Sequence, residues 1–446
     1  MKCLNQLSAI AAVLCGLSVP GLCAAQTFAE PVVARVEMKL TADEKVVDVI
    51  APGDLLTVVE ERDEEYVIVT HDGTKGAVSK VNAVKIAESG DVYTELIQRN
   101  PEEGRYYTLR ASSWWALGKA DEAIADFDKA IDLGYREPHA YTSRGLFHAA
   151  SGHYKEAITD YNEAIKLDKE SIAPIVNRAA VYMQTREFEL AAKDYSTALA
   201  TKENDAALLH QRAIAYKSAG ETDKAIADFN TIAKANPKDI TAIMGRGYVR
   251  FQAGDHAAAV EDFAIAIELN PKDAVARNNR GYNLHKLGQY AKALEDYNQA
   301  IKLAPKYALA LQNRAWLLAT AKDEEVRDAT VAIDSARTAC ELTDFANIGD
   351  LSALAASLAA AGKFEDAVGW QEKVVERVSN EYKEFAGKIL ERYMDEKQFA
   401  ADPDKANAEE KALAEKEGKQ KQAEKAKQDK DQKQANNDTD VDPDKA

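Results

Sequence analysis

The chain has 446 residues, of which 46% are hydrophobic and 29% are charged, and its formal net charge is −17. This length is more than one ordinary hydrophobic core organises, so several domains or an extended array are expected. A surface this acidic repels phosphate backbones, and the sequence contains no local basic patch to offset the repulsion. A nucleic-acid partner is therefore not expected.

Residues 1–25 have the pattern of an export signal. Lys2 supplies a positive start, Leu7–Val19 is apolar, and Ala24 and Ala25 offer a cleavage point before Gln26. The apolar stretch is short for a membrane span, so an uncleaved anchor is the alternative interpretation. We expect an exported protein, periplasmic or extracellular, with no membrane-spanning segment after cleavage.

The distribution of reactive side chains argues against an enzyme. Three of the four cysteines lie in the export segment, which leaves Cys340 as the single thiol of the mature chain. A lone cysteine forms no internal disulfide, thiolate metal site or redox pair. The seven histidines show no zinc-like spacing, and the sequence has no phosphate-binding loop or nucleophile elbow. We therefore expect no catalysis, no cofactor and no metal.

Short β-branched runs separated by turns occupy residues 30–88. Pro52-Gly53-Asp54 and Asp72-Gly73 supply the turn chemistry. Strands this short can bury a common face by curling into a small barrel. The predicted strands are Val32–Val36, Val46–Ile50, Leu55–Val59, Tyr66–Thr70 and Gly76–Val78.

This β segment resembles bacterial SH3-like domains. The resemblance rests on Pro52-Gly53-Asp54, on the strand that begins at Tyr66, and on the run from Asp72 to Val78. The family is associated with cell-wall or peptide binding, and it usually carries an aromatic residue where this chain has Ala77. A small docking module without a ligand is the alternative.

A repeat of 34 residues follows, and six units remain in register. A turn residue, an alanine, an aromatic residue and a second small or aliphatic residue recur at fixed offsets. Alanine allows two helices to approach closely, and the aromatic ring four residues later fills the space beside it. The turn residues are Gly118, Gly152, Arg186, Gly220, Gly254 and Gly288. The alanines are Ala123, Ala157, Ala191, Ala225, Ala259 and Ala293. The aromatic residues are Phe127, Tyr161, Tyr195, Phe229, Phe263 and Tyr297.

This pattern resembles the tetratricopeptide repeat, over about 104–378, and Asn279-Arg280-Gly281 is similar to one of its subtypes. The resemblance implies a mainly α fold, a right-handed solenoid of about eight helix-turn-helix repeats preceded by the small β-barrel. An incomplete repeat helix is expected at 90–103, an insertion near 322–331, a capping helix at 379–400 and a charged, disordered tail at 401–446. In the last repeat the aromatic residue, Trp370, stands one position early.

Two charged residues also recur once in each repeat. Arginine stands at one repeat position seven times, from Arg110 to Arg314, and aspartate precedes the aromatic residue six times, from Asp126 to Asp296. A row of free arginines would suit a polyanion or substrate carboxylates. Matched spacing favours the other interpretation, in which each arginine pairs with an aspartate of its own or the adjoining repeat.

In tetratricopeptide arrays the first helix of each repeat lines a concave groove. If the resemblance holds, this groove presents aromatic, methionine and amide side chains that suit an extended peptide. The alternative for several of these aromatic residues is packing between repeats. The predicted groove residues are Trp115, Met183, His210, Lys217, Met244, Tyr248, Phe251, Asn278, Tyr282, His285, Lys286, Gln312 and Trp316.

The sequence thus predicts a non-catalytic scaffold in the cell envelope that holds a protein or peptide in the groove. The alternative is a cell-wall-associated anchor, in which the SH3-like segment contacts the wall and the repeats act as a spacer. The sequence does not identify the partner.

Overall fold

The protein is described by a computed structural model that covers residues 31–42, 45–69 and 75–395. The described residues are mainly helical, with eighteen α-helices and seven short β-strands. The predicted export signal and charged tail lie outside these residues. The chain divides into two compact units, Met1–Pro237 and Lys238–Ala446.

The first unit begins with a small antiparallel β module. Five of its strands form a sheet in the order β6-β5-β4-β1-β7, and β2 pairs with β3 in a separate hairpin. A register shift between Val58 and Glu60 bends β4 against β5. The strands are β1 (Val32–Ala34), β2 (Met38–Ala42), β3 (Lys45–Ile50), β4 (Leu55–Glu61), β5 (Glu65–Val69), β6 (Lys75–Ser79) and β7 (Ala83–Lys85).

The β2-β3 hairpin covers one face of this curled sheet. Leu40 and Ile50 of the hairpin share a buried cluster with Val58 and Ile68 of the sheet. Gly76 allows this approach, because a Cβ atom there would collide with the side chain of Leu40. The five strands predicted from sequence correspond to β1 and β3–β6. The sequence did not indicate β2 or β7, because neither carries a β-branched run.

The other face of the sheet packs against helices. After a 3-10 turn at Ile86–Glu88, helix α1 (Gly90–Arg99) places Tyr93 and Leu96 in one buried cluster with Val33 and Leu55 of the sheet. The Tyr93 hydroxyl donates a hydrogen bond to the Gly53 carbonyl at 3.2 Å. The β module therefore covers the apolar end of the helical array in the first unit.

Helices follow in consecutive antiparallel pairs in both units. In the first unit the pairs are α2 (Gly104–Ala116) with α3 (Ala120–Asp132), α4 (Pro138–Ala150) with α5 (Tyr154–Leu167), α6 (Ala173–Gln184) with α7 (Phe188–Thr201), and α8 (Ala206–Ser218) with α9 (Thr222–Ala235). In the second unit they are α10 (Ile240–Gln252) with α11 (His256–Leu269), α12 (Ala274–Lys286) with α13 (Tyr290–Leu303), α14 (Ala308–Thr320) with α15 (Ala329–Leu342), and α16 (Ile348–Ala360) with α17 (Phe364–Arg377). Helix α18 (Asn380–Met394) comes last.

The repeated alanines and aromatic residues form the packing between the helices of each pair. The six alanines from Ala123 to Ala293 are fully buried, and the six aromatic residues that follow them are at most 2% exposed. The first helix has Gly or Ala opposite each ring: a Cβ on Gly145 would lie 2.8 Å from Cε1 of Tyr161. The two helices of a pair therefore approach closely both at the buried alanine of the second helix and at the small residue of the first helix.

The turn between the paired helices adopts a left-handed conformation. Where the repeat carries Arg186 in place of glycine, φ is still +65°. The conformation is therefore set by the packed helices on either side rather than by the residue alone.

Within each of six successive pairs, an arginine on the first helix forms a two-pronged hydrogen-bonded ion pair, here called a fork, with an aspartate on the second helix. In each fork the Nε and Nη2 atoms of the arginine donate to the carboxylate of the aspartate sixteen residues later, at 2.5–3.2 Å. The arginine side chains are 15–26% exposed and the aspartates 1–9%. The forks are Arg110–Asp126, Arg144–Asp160, Arg178–Asp194, Arg212–Asp228, Arg246–Asp262 and Arg280–Asp296.

Several arginines also contact the preceding pair through the third guanidinium nitrogen. Nη1 of Arg144 donates to Asp128 at 2.6 Å, and Nη1 of Arg212 donates to the Ser196 hydroxyl at 3.1 Å. Each of these arginines therefore connects three helices of the first unit. The arginine row is part of the packing and does not form a free cationic surface.

The seventh arginine lacks this carboxylate. The chain inserts residues after α14, including a 3-10 turn at Glu324–Val326, and Ser335 then stands three residues after Ala332, where the other repeats carry aspartate. Nε of Arg314 donates to the Ser335 hydroxyl at 3.1 Å. Burial lowers the pKa of Arg314, whereas hydrogen bonds to Asp126 raise that of Arg110.

The last pair replaces both fork residues. Leu354 stands at the arginine position and Trp370 at the aspartate position, where it stacks on Phe345 with ring centroids 5.4 Å apart. The buried aromatic position is filled by Gln371, which donates its amide to the Ala386 carbonyl of α18 at 3.0 Å. A polar side chain at this position thus fixes the final helix to the array.

We predict that Asp262→Ala destabilises the second unit by about 3 kcal/mol, because it leaves two partly buried guanidinium groups without their carboxylate. Asp262 accepts hydrogen bonds from Arg246 and also from Arg250 at 2.8 Å. Urea unfolding followed by circular dichroism measures the change. The matched control is Glu261→Ala, on the exposed neighbouring residue, with an expected change within about 0.5 kcal/mol. Equal effects of the two substitutions would contradict the role of the fork.

We predict that Ser335→Asp stabilises the second unit by about 1 kcal/mol, because it supplies the missing carboxylate to Arg314. Ser335→Ala is the control and should destabilise, since it removes the acceptor of the Arg314 Nε hydrogen bond. Thermal unfolding of the three chains under one set of conditions gives the order. An aspartate variant that melts below the parent chain would show that this position no longer belongs to the fork pattern.

Candidate functional site

The predicted groove residues of the first unit lie on three separate first helices. Trp115 stacks flat on Phe147, with ring centroids 4.2 Å apart and planes 2° apart. His210 meets the ring of Phe229 edge-on at 5.4 Å. Met183 and Lys217 are half-buried on α6 and α8. Trp115 therefore packs between neighbouring repeats, which is the alternative interpretation given above, whereas His210 packs within its own repeat.

In the second unit, the predicted residues form a connected aromatic row, defined as Tyr248, Phe251 and Tyr282. The ring centroids of Tyr248 and Phe251 are 5.7 Å apart, and Phe251 meets Tyr282 edge-on at 5.4 Å. Tyr248 is 42% exposed, which is unusual for a ring within a packed array. The row links α10 to α12 and presents aromatic rings to solvent.

The row leads to a cavity of about 580 Å³, here called the C-terminal cavity. Helices α12 and α14 contribute five of the predicted residues to its lining: Tyr282, His285, Lys286, Gln312 and Trp316. The structure thus brings these five together on first helices of neighbouring repeats.

Most of the rest of the lining comes from α16, α17, α18 and the connection between the last two, which the groove prediction does not include, and Asn313 of α14 is a further lining residue outside that prediction. Ser352, Val374, Phe385 and Ile389 are examples from α16, α17 and α18. Each predicted groove residue stands at a fixed offset from the arginine of its repeat, and the last repeat has Leu354 at that position. One signal was available, because Ser352 stands two residues before Leu354, as Gln312 stands two residues before Arg314. The 34-residue pattern does not predict that α18 lies over the cavity.

Two further predicted residues of this unit lie apart from the lining. Asn278 is 1% exposed, and its side-chain oxygen accepts a hydrogen bond from Asn313 Nδ2 at 2.9 Å. Asn313 in turn lines the cavity. Asn278 therefore positions a lining residue and does not present its own amide to a ligand. Met244 is half-buried on α10.

The lining of the C-terminal cavity includes a lysine, Lys286, and neither aspartate nor glutamate. The ammonium group of Lys286 lies 5.0 Å from the centre of the Tyr282 ring. Burial raises the pKa of the Tyr393 hydroxyl, so this lining residue is neutral at physiological pH. The cavity is therefore aromatic and apolar in most of its wall, with local positive charge on one side.

The remaining reactive side chains are buried or scattered. Burial raises the pKa of the Cys340 thiol to about 12 and lowers that of His139 to about 4. Both groups are thus neutral at physiological pH. Within the described ranges, no cluster of three or more histidine, cysteine or acidic residues could hold a metal ion. None of the helices described here has the length and apolar character needed to cross a membrane.

Comparison with known families decides what these repeats are. Two tetratricopeptide repeat models match the chain, one at residues 274–307 and the other at 79–134, 108–172, 176–240 and 210–274. Together they cover about half of the chain. It belongs to the tetratricopeptide repeat family. The family is generally a non-catalytic protein-interaction scaffold. No family match covers the β module as an SH3-like domain.

Several solved structures of tetratricopeptide repeat proteins are similar to this chain. The C-terminal part of a repeat-containing protein from Cytophaga hutchinsonii shares 18% identity, over 51% of this chain and 94% of that one, with a TM-score of 0.47. A tetratricopeptide repeat protein from Parabacteroides merdae shares 20% identity, over 68% and 98%, with a TM-score of 0.41. YrrB, described as having an unusual peptide-binding site, shares 22% identity, over 50% and 97%, with a TM-score of 0.33. A search of curated proteins returns no match.

Proposed function

We propose that this chain is an exported, non-catalytic scaffold that holds a protein or peptide on the first helices of its second unit. The observation that carries the proposal is the aromatic row, which leads from an exposed ring at Tyr248 to the C-terminal cavity. Membership of a family of interaction scaffolds supports the same class of function.

The chemistry of the row suits a peptide ligand. The exposed ring of Tyr248 and the half-buried rings of Phe251 and Tyr282 offer large contact area at a small cost in side-chain entropy. In the cavity that Tyr282 lines, Gln312 carries an amide that can bond to a peptide backbone. Apolar anchors flanked by backbone-directed amides are how grooves hold extended peptides. The row therefore favours an extended segment with at least one bulky apolar side chain.

The β module serves in this proposal as a terminal cap of the array. One of its faces is occupied by α1 and α2 through Tyr93, Leu96 and Leu109. Ala77, where SH3-like domains usually carry an aromatic residue, is exposed and supplies no ring for stacking. The SH3-like assignment and the cell-wall anchor that depends on it stay predictions from sequence, and the scaffold is the function we favour.

Export is the part of the proposal that rests on sequence alone. Lys2, the apolar run to Val19 and the small residues before Gln26 support it. The periplasm or the extracellular space would then be where the partner is met.

The proposal is tested with peptides selected against the mature chain from a displayed random library. Their affinities are then measured by isothermal titration for the parent chain and for the double variant Tyr248→Ala, Tyr282→Ala. Truncation of an anchoring tyrosine costs about 2 kcal/mol, so we expect affinity to fall by about 30-fold or more.

The matched control is Val275→Ala, Leu303→Ala, which removes two exposed apolar side chains that lie outside the row and the cavity. This control should leave affinity unchanged, and both variants should keep the parent helicity. Peptides that bind the tyrosine variant as tightly as the parent chain would overturn the proposal.

A further inference from the structure

The C-terminal cavity has two chemically different walls. The wall from α17, α18 and their connection is mostly apolar, with Val374, Val378, Phe385 and Ile389 in the lining, and its hydroxyl groups are those of Ser379, Tyr382 and Tyr393. The polar residue Gln371 also lines this side, but it is 2% exposed and its amide is bonded to the Ala386 carbonyl. An apolar group placed against this wall would therefore leave no unsatisfied amide donor.

The opposite wall, from α12, α14 and α16, carries the lysine and the histidine of the lining, with further polar groups. His285, Lys286, Gln312, Asn313 and Ser352 line it. The Ser352 hydroxyl donates to the Ile348 carbonyl at 2.9 Å, and the Asn313 amide donates to Asn278. The hydrogen bonds and salt bridges of the described residues give Lys286 no carboxylate partner, and its ammonium group lies over the ring of Tyr282.

The acidic residue Asp350, next to the lining, bonds within the protein and does not enter the cavity lining. Asp350 follows the lining residue Gly349 on α16, but it is 1% exposed and accepts a hydrogen bond from the Thr343 hydroxyl at 2.8 Å. In a chain with net charge −17, a cavity with a lysine and no carboxylate in its lining is a local exception. Charge complementarity therefore favours an anionic group beside Lys286 and disfavours a cationic one.

We propose that the C-terminal cavity binds a small apolar carboxylate of the fatty-acid type. Its apolar body would lie against α17 and α18, and its carboxylate would accept hydrogen bonds from the Lys286 ammonium group. This ligand class is additional to the peptide proposed above, and its test does not require that peptide to exist.

Size agrees with this class of ligand. A volume of about 580 Å³ lies within the usual range of about 300–1,000 Å³ for small-molecule sites. Such sites are mostly apolar with a few placed polar groups, which is the arrangement of the two walls. Residues of five helices, α12, α14, α16, α17 and α18, line this one space.

The test uses decanoate below its micelle concentration, with decanol and decylamine of the same chain length, titrated calorimetrically into the mature chain. We expect decanoate to bind about tenfold or more tightly than decanol, since a charge-assisted hydrogen bond contributes at least that factor. Decylamine should bind more weakly than either.

Two variants locate the site. Lys286→Met keeps the apolar stem of the side chain and should reduce decanoate affinity to that of decanol, while decanol affinity stays the same. Ser352→Phe places a ring in the cavity and should abolish binding of both compounds. The matched control is Lys272→Met, on an exposed lysine outside the lining, which should change nothing.

Several outcomes would overturn the proposal. No decanoate binding to the folded parent chain would do so directly. Equal affinity for decanoate and decanol, unchanged in Lys286→Met, would show a site for a neutral apolar group, such as a peptide side chain. Unchanged binding in a folded Ser352→Phe variant would place the decanoate elsewhere.

Discussion

The arrangement of the helices depends on a bidentate ion pair between a partly buried arginine and a buried aspartate. The arginine donates two hydrogen bonds to a carboxylate on the second helix of its own pair. In several repeats the same arginine also donates a hydrogen bond to a side chain of the preceding pair. The desolvation of such a pair offsets much of its attraction, so its main effect is on register. The fully buried alanines beside it permit the short distance between helices that the fork requires.

The second unit shows what happens where this pattern stops. Arg314 meets a serine, and the last pair has Leu354 and Trp370 in place of the two charged residues. Gln371, at the position of the buried ring, bonds instead to the backbone of α18. This helix then contributes the apolar wall of the C-terminal cavity. The departure from the repeat therefore fixes a helix that forms part of the cavity wall.

The periodic part of the molecule could be predicted from sequence because the same residue types make the same contacts in each helix pair. The offsets of alanine, aromatic residue, arginine and aspartate indicated the helix pairs and the internal forks. Five predicted groove residues, Tyr282, His285, Lys286, Gln312 and Trp316, line one cavity. Their role in binding stays a prediction.

What could not be predicted lies where tertiary contacts replace periodicity. The stacking of Trp115 on Phe147 and the burial of Asn278 follow from neighbours in space, which repeat position alone does not reveal. Strand β7, three residues long, forms because β1 lies beside it. The final helix shapes the cavity through Phe385 and Ile389, residues outside the 34-residue pattern.

We propose that partners are held on the aromatic row. The most direct measurement is photocrosslinking in living cells of the organism that makes this protein, with benzoylphenylalanine placed at Tyr248 or, in a separate chain, at Leu303 on a second helix. We expect a discrete protein or peptide adduct from position 248 and none from position 303. Adducts from position 303 alone, or the same adducts from both positions, would contradict it.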